Sequence, residues 1–195
     1  MLGPVGVGLY GAVGLGYVNH AAHAGAWGPR MMFAAFGLYA AAGALRLAGR
    51  RREPEAASGL APALIVALGA MLPLAARPEG RVLWAGGLWV AAAGAVLGIL
   101  AALSLGDCFG IAPAVRGVVS KGPYRAMRHP MAVSFVLIAG GFLAVHFNPW
   151  NATVLGLSSA LAVVSALLEE RLLLGDGRYR DYAARVRWRF VPGLI

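Results

Sequence analysis

The sequence predicts an all-α membrane protein, a polytopic bundle of about six transmembrane helices. Of its 195 residues, 59% are hydrophobic and only 13% are charged, whereas soluble domains carry about 25% charged residues. Six apolar stretches approach the roughly 20 residues that a helix needs to cross a bilayer. The 28 glycines suit helices that approach one another closely in lipid. A compact water-soluble fold is excluded, because the charged groups are too few to cover its surface.

The predicted spans are separated by charged or helix-breaking residues, and no charge interrupts the interior of any span. They cover residues 4–19, 31–47, 60–76, 82–105, 131–147 and 150–168. Asn148-Pro149 leaves almost no loop between the last two spans, so these two are predicted to form a tight antiparallel hairpin. Tryptophans fall near one set of predicted span ends, as an aromatic belt requires; they are Trp27, Trp84, Trp89 and Trp150.

In a soluble domain, the net charge of +9 would suggest a nucleic-acid partner. Here the basic residues are concentrated on one predicted side of the membrane. With the N-terminus in the cytoplasm, 14 of the 17 basic residues fall in cytoplasmic loops and the tail. Cytoplasmic loops of membrane proteins collect Lys and Arg. We therefore expect both termini on the cytoplasmic side and no nucleic-acid partner. The Ala-, Gly- and Arg-rich composition is typical of a GC-rich bacterium, whose inner membrane is the expected location.

Two polar segments, residues 106–130 and 169–195, lie on this predicted cytoplasmic side. In the tail, Tyr179, Tyr182 and Val186 recur at helical spacing after Asp176, a suitable N-cap. This pattern predicts a short cytoplasmic amphipathic helix on the membrane surface, with its arginines toward lipid phosphates. In the loop, Pro130 suits the first position of the next helix, although the basic residues before it could also be a simple positive-inside anchor.

Glu169 and Glu170 stand at the inner end of the sixth predicted span. Carboxylates at a helix C-terminus oppose the helix dipole at a cost of about 0.3–1 kcal/mol each unless a cation offsets it. Arg128, Arg171 or a cationic ligand could be that partner. The alternative is an exposed acidic pair that forms salt bridges with the tail.

Taken together, these segments resemble the isoprenylcysteine carboxyl methyltransferase family. The similarity is carried by Gly122-Pro-Tyr-Arg-x-x-Arg-His-Pro130, by the hairpin, by Glu169-Glu170 and by Tyr179-x-x-Tyr-x-x-x-Val186. It covers about residues 109–192. Bacterial phospholipid N-methyltransferases are more distant relatives of that family.

The resemblance implies an integral membrane methyltransferase that uses S-adenosylmethionine and releases S-adenosylhomocysteine. Residues 106–195 would then form the methyltransferase core, and residues 1–105 a helical scaffold. Carried over by position, the cofactor-binding residues are Tyr124, Arg128, His129, Pro130, Glu169 and Glu170. Arg128 and Glu170 are the expected catalytic residues. The motif usually continues with Tyr where this chain has Ala132, so the family's acceptor is not carried over.

These residue types suit methyl transfer. A cationic sulfonium is accommodated by an aromatic face such as that of Tyr124, and a carboxylate by Arg or His donors. In-line displacement depends mainly on alignment of the nucleophile, the methyl group and the sulfur. The acceptor would be lipophilic or membrane-permeant, and a carboxylate, amine, hydroxyl or thiol all remain open, as does the oligomeric state.

Two other functions compete with this interpretation. A membrane reductase related to the sterol reductases would use a nicotinamide cofactor, and a non-catalytic membrane subunit would bind neither cofactor. A transport path is disfavoured because no span carries an interior charge. No metal site is expected: His20 and His23 lack an acidic or Cys partner nearby, and Cys108 is the only cysteine.

Overall fold

The computed structural model describes residues 15–16, 65, 68–105 and 118–194. Within these ranges no β-strand forms and all regular elements are helical. The α-helices are α1 (Gly87–Leu105), α2 (Pro130–Val145), α3 (Pro149–Leu173) and α4 (Gly177–Arg185), with short 3-10 helices at Leu72–Ala75 and Gly122–Arg125. The all-helical class is confirmed. The second predicted span, nearly all of the first and the loop at 106–117 lie outside the described residues, so six spans stay a prediction.

Among the residues that the structure describes, two helices are long and apolar enough to cross a membrane, α1 with 19 residues and α3 with 25. The third apolar helix, α2, has 16 residues, which at 1.5 Å per residue is about 24 Å. That is shorter than a hydrocarbon core of roughly 30 Å. The predicted ends of the fifth and sixth spans were wrong. Helix α2 ends before residue 147, and α3 continues past residue 168 to Leu173.

The fourth predicted span corresponds to α1, which begins at Gly87 and not at residue 82. The backbone before it is engaged with the end of α2. Arg81 pairs with Phe147 in an isolated antiparallel bridge, and the N–H groups of Leu83 and Trp84 both donate to the Ala144 carbonyl, at 2.9 and 3.0 Å. The Arg81 carbonyl accepts from the Phe147 N–H at 3.0 Å and not from an N–H of α1, so the segment 81–84 pairs with the end of α2 and is not part of the helix.

The predicted tight hairpin between α2 and α3 is confirmed. Asn148 is the N-cap of α3, and its side chain accepts from the Asn151 N–H at 2.7 Å. The Asn151 side chain, fully buried, bonds in turn to the N–H and the carbonyl of Arg77 and to the carbonyl of His146. One buried amide thus closes this end of the bundle. Trp84, Trp89 and Trp150 are exposed at the same end, where the aromatic belt was predicted.

Small residues set the distance between α1 and α2. Gly87 of α1 lies against Gly141 near the end of α2, and Gly94 lies against Ser134 and Leu137 nearer its start. The two helices are therefore antiparallel. Since α2 and α3 form an antiparallel hairpin, the end of α1, the start of α2 and the end of α3 meet at one end of the bundle.

We predict that Gly94→Ala destabilises the protein, because an added Cβ would lie 2.8 Å from Leu137 Cβ and 2.9 Å from the Ser134 carbonyl oxygen. Overpacking of this kind costs about 1–3 kcal/mol. Gly140→Ala is the matched control, since a Cβ there meets nothing within 4 Å. Thermal unfolding in detergent micelles should give a lower midpoint for Gly94→Ala alone. Equal midpoints for the two variants would contradict the close packing.

Candidate active site

The site lies at the end of the bundle where α1 ends and α2 begins. Gly122 adopts a positive φ of 55°, a conformation that favours glycine, and a Cβ at this position would collide with the Ser104 hydroxyl. The glycine thus lets the 3-10 turn Gly122–Arg125 lie close against the last turn of α1. Pro130 then begins α2, as predicted, directly after Arg128 and His129.

A buried carboxylate is the centre of the site. Glu170 lies in the last turn of α3 and is only 2% exposed. Its oxygens form an ion pair with Arg128 Nη1, contact His129 Nε2 at 3.3 Å and bind Arg189 Nε at 3.1 Å. Arg128 is therefore the partner that offsets the unfavourable helix dipole, whereas Arg171, the other predicted partner, is exposed. The predicted alternative of an exposed acidic pair is wrong for Glu170, because this carboxylate is buried.

The chain after α4 returns to the site without regular secondary structure. The N–H of Arg128 donates to the Trp188 carbonyl at 2.9 Å, and the N–H of His129 donates to the Arg189 carbonyl at 2.8 Å. Arg128 Nη2 also donates to the Arg187 carbonyl at 3.0 Å. These three bonds hold the Arg189 side chain against Glu170. Arg189 was not among the predicted site residues, because nothing in the local sequence distinguishes it from the other tail arginines.

Helix α4 forms as predicted, and Asp176 caps it by accepting from the Arg178 N–H at 2.8 Å. Its apolar face contacts protein: Tyr179, Tyr182 and Val186 form a buried cluster with Leu173 and Val118 packed against it. The Tyr182 hydroxyl donates to the Tyr124 carbonyl at 2.8 Å. The tail helix is thereby tied to the turn before α2, and its apolar face is not available to lipid.

Three buried tyrosines surround the charged cluster as neutral groups. Burial raises the pKa of Tyr124 above its usual range, and the nearby Glu169 raises it further. Burial and then the Glu170 charge raise the pKa of Tyr179 in the same way, while burial raises the pKa of Tyr182 to about 12. All three phenols stay protonated near neutral pH, so they can donate hydrogen bonds or offer aromatic faces but cannot act as bases.

Three buried side-chain polar atoms in the described part of the chain have no hydrogen-bond partner: Arg128 Nε, the Tyr179 hydroxyl and His146 Nε2. The first two belong to the site. His146 ends α2 at the opposite end of the bundle, where burial lowers its pKa.

The structure brings most of the predicted site residues to one end of the bundle. Arg128, His129 and Glu170 are in direct contact. Pro130 and Tyr124 are buried beside them, and Glu169 is half-buried and near Tyr124. Ala132 lies half-buried in the first turn of α2. Across the residues that the structure describes, no three His, Cys, Asp or Glu side chains form a possible metal site. His20, His23, Trp27 and Cys108 lie outside those residues.

The chain is similar to a known protein family. The family model PEMT, described as phospholipid methyltransferase, matches residues 78–175, which is half of the chain. The matched range contains α1, α2 and α3 and includes Arg128, His129, Glu169 and Glu170. The search of curated proteins gives no match.

We predict that Glu170→Gln destabilises the protein, because a neutral amide leaves the nearly buried Arg128 guanidinium without its carboxylate. Loss of one partner from a buried ion pair costs on the order of 3 kcal/mol. Glu79→Gln, an exposed carboxylate in the loop before α1, is the matched control. Thermal unfolding should show a lower midpoint for Glu170→Gln only, and an unchanged midpoint would mean that the cluster does not stabilise the fold.

We also predict that stability falls at alkaline pH. In the unfolded chain Tyr182 ionises near its ordinary pKa of 10.0, whereas in the folded protein its pKa is about 12. The folded state then binds more protons than the unfolded state, so the stabilisation is present below pH 10 and is lost as the pH rises through 12. Unfolding midpoints measured between about pH 8 and pH 12 should fall less steeply for Tyr182→Phe than for the wild type. Parallel curves would contradict this assignment.

Proposed function

The chain belongs to the phospholipid methyltransferase family, a family of membrane methyltransferases, and we propose that it transfers a methyl group from S-adenosylmethionine to a lipophilic or membrane-permeant acceptor. S-adenosylhomocysteine would be the second product. The observation that carries the proposal is the cluster of Arg128, His129 and Arg189 around the buried carboxylate of Glu170, at the end of two apolar helices long enough to span a membrane.

The donor set of this cluster fits such a cofactor. Two guanidinium groups, those of Arg128 and Arg189, contact the carboxylate of Glu170, and guanidinium groups also suit a carboxylate of the ligand. Arg128 Nε is buried and has no hydrogen-bond partner, so it can donate to that group, and charge-assisted bonds of this kind are the strong ones. Glu169, beside the cluster, is a carboxylate suited to the amino or ribose groups of the cofactor.

The residues of this chain bind and orient rather than react. When bound, the sulfonium supplies an activated methyl group. The Tyr124 ring, buried and neutral, offers an aromatic face to a positive charge. Arg128 is held by Glu170 and by the Arg187 carbonyl, so its position is set before any ligand binds. Alignment of this kind is the main contribution that a protein makes to an in-line displacement.

The position of the site suits two reactants of different solubility. It lies where α1 and α3, the apolar helices long enough to span, both end, so a polar cofactor can enter from water and a lipophilic acceptor from the bilayer. The exposed basic residues at this end are Lys121, Arg125, Arg171, Arg178, Arg180, Arg185, Arg187 and Arg189. By the positive-inside rule we propose that this end is cytoplasmic, in a bacterial inner membrane.

A ligand titration tests the class of reaction. The purified protein should be stabilised in thermal unfolding by S-adenosylmethionine and not by NADPH. Stabilisation by NADPH alone would favour a reductase, and stabilisation by neither would favour a non-catalytic subunit. Incubation with methyl-labelled S-adenosylmethionine and a native lipid extract, followed by identification of the labelled product, would then determine the acceptor.

We predict that Arg128→Ala and Glu170→Ala abolish methyl incorporation into that product. Arg128→Lys should reduce incorporation by between about 10-fold and 100-fold, because an ammonium cannot reproduce the guanidinium fork and the loss of one charge-assisted bond costs about 1.5–3 kcal/mol.

Arg125→Lys, an exposed arginine in the adjacent 3-10 turn, is the matched control and should keep full activity. Unfolding curves recorded in parallel separate loss of function from loss of fold. Unchanged incorporation in both alanine variants would overturn the site.

A further inference from the structure

Packing within the protein does not explain why residue 179 carries a hydroxyl. The side chain is 5% exposed, and its hydroxyl is buried without a hydrogen-bond partner in the described part of the chain. Tyr182, on the same helix and equally buried, donates to the Tyr124 carbonyl at 2.8 Å. A phenylalanine at position 179 would fill the same space without an unsatisfied polar atom. Buried polar groups are nearly always paired, so the hydroxyl indicates a missing partner.

The position of this hydroxyl connects it to the charged cluster. The charges of Glu170 and Arg128 both act on the Tyr179 phenol, and Arg128 contributes a second buried atom without a partner, Nε. Glu170 cannot accept from both the Tyr179 hydroxyl and Arg128 Nε, because its oxygens already bind Arg128 Nη1, His129 and Arg189. The Tyr179 cluster packs against Leu173 and Arg128 pairs with Glu170, so both unpartnered groups belong to segments held against the last turn of α3.

Both groups are donors. A guanidinium Nε carries a hydrogen and no lone pair, and Tyr179 stays protonated because burial and Glu170 raise its pKa above the usual range. A ligand ammonium could donate to the phenol oxygen, which also accepts, but it would leave Arg128 Nε unsatisfied because both are donors. A carboxylate accepts only, through two oxygens, and can satisfy both donors together.

We propose that Tyr179 is a binding residue of the site and that its hydroxyl, together with Arg128 Nε, holds the amino-acid carboxylate of the cofactor. This inference rests on the proposed function. It assigns a ligand contact to α4, whereas the sequence pattern of this helix predicted only a position on the membrane surface. The Tyr179 hydroxyl then has no partner in the free protein and gains one when the ligand binds.

The test compares Tyr179→Phe with Tyr182→Phe in the purified full chain. Without ligand, Tyr179→Phe should unfold at or above the wild-type temperature, whereas Tyr182→Phe, which loses a made hydrogen bond, should unfold below it. Calorimetric titration then uses two probes, S-adenosylhomocysteine and 5′-methylthioadenosine, which lacks the amino-acid portion. Tyr179→Phe should weaken binding of S-adenosylhomocysteine about 10-fold and leave binding of 5′-methylthioadenosine unchanged.

Each other outcome overturns the inference in a distinct way. If Tyr179→Phe binds S-adenosylhomocysteine as the wild type does, the proposed function stands and the role of Tyr179 falls. Equal weakening of both probes would place the hydroxyl on the nucleoside, and a raised KM for the methyl acceptor alone would place it on an acceptor carboxylate. Failure of Tyr179→Phe to fold would make the hydroxyl structural. If the wild type binds neither probe, the proposed function itself fails.

Discussion

The arrangement of the site depends on one buried carboxylate. Glu170 is almost fully removed from water, and a charge in that position is tolerated only when it is paired and hydrogen-bonded. Its partners come from two segments far apart in the sequence, Arg128 and His129 before α2 and Arg189 in the tail. Because the carboxylate must be satisfied, it determines where both segments lie relative to the end of α3.

The opposite end of the bundle shows the same principle with uncharged groups. Asn151, fully buried, satisfies the backbone of Arg77 and His146 and so joins the hairpin to the segment that precedes α1. Between these two polar ends the contact of α1 with α2 depends on small residues such as Gly94. Close approach at these glycines, together with the backbone bonds from Leu83 and Trp84 to Ala144, holds the two helices antiparallel, so the end of α1 and the start of α2 lie at the same end.

Three buried tyrosines place neutral groups beside the charged cluster. Tyr124, Tyr179 and Tyr182 are buried and stay protonated, so they add no charge beside the ion pairs. Electrostatic interactions are stronger in such surroundings than in water. Under the proposed function, the two guanidinium groups of this cluster would bind an anionic group of the cofactor, and the neutral rings would lie beside its cationic group.

Much of the fold follows from local signals in the sequence. Apolar stretches predicted the spans, Asn148-Pro149 predicted the hairpin and Asp176 predicted the cap of α4, because periodicity, breakers and caps act within a few residues. The motif and its family resemblance also led to Arg128, His129 and Glu170, which the structure brings into contact.

Other features were decided only by contacts between distant segments. Helix α1 starts at Gly87 because residues before it bond to the end of α2. The apolar face of α4 packs on Leu173 and Val118, although its amphipathic pattern would equally suit a lipid surface. Arg189 differs from its neighbouring arginines only because the tail returns to Arg128. The sequence by itself determined the helices and the residues of the motif, while tertiary structure decided which tail residues reach the motif, since no local pattern encodes a contact between chain segments that lie far apart.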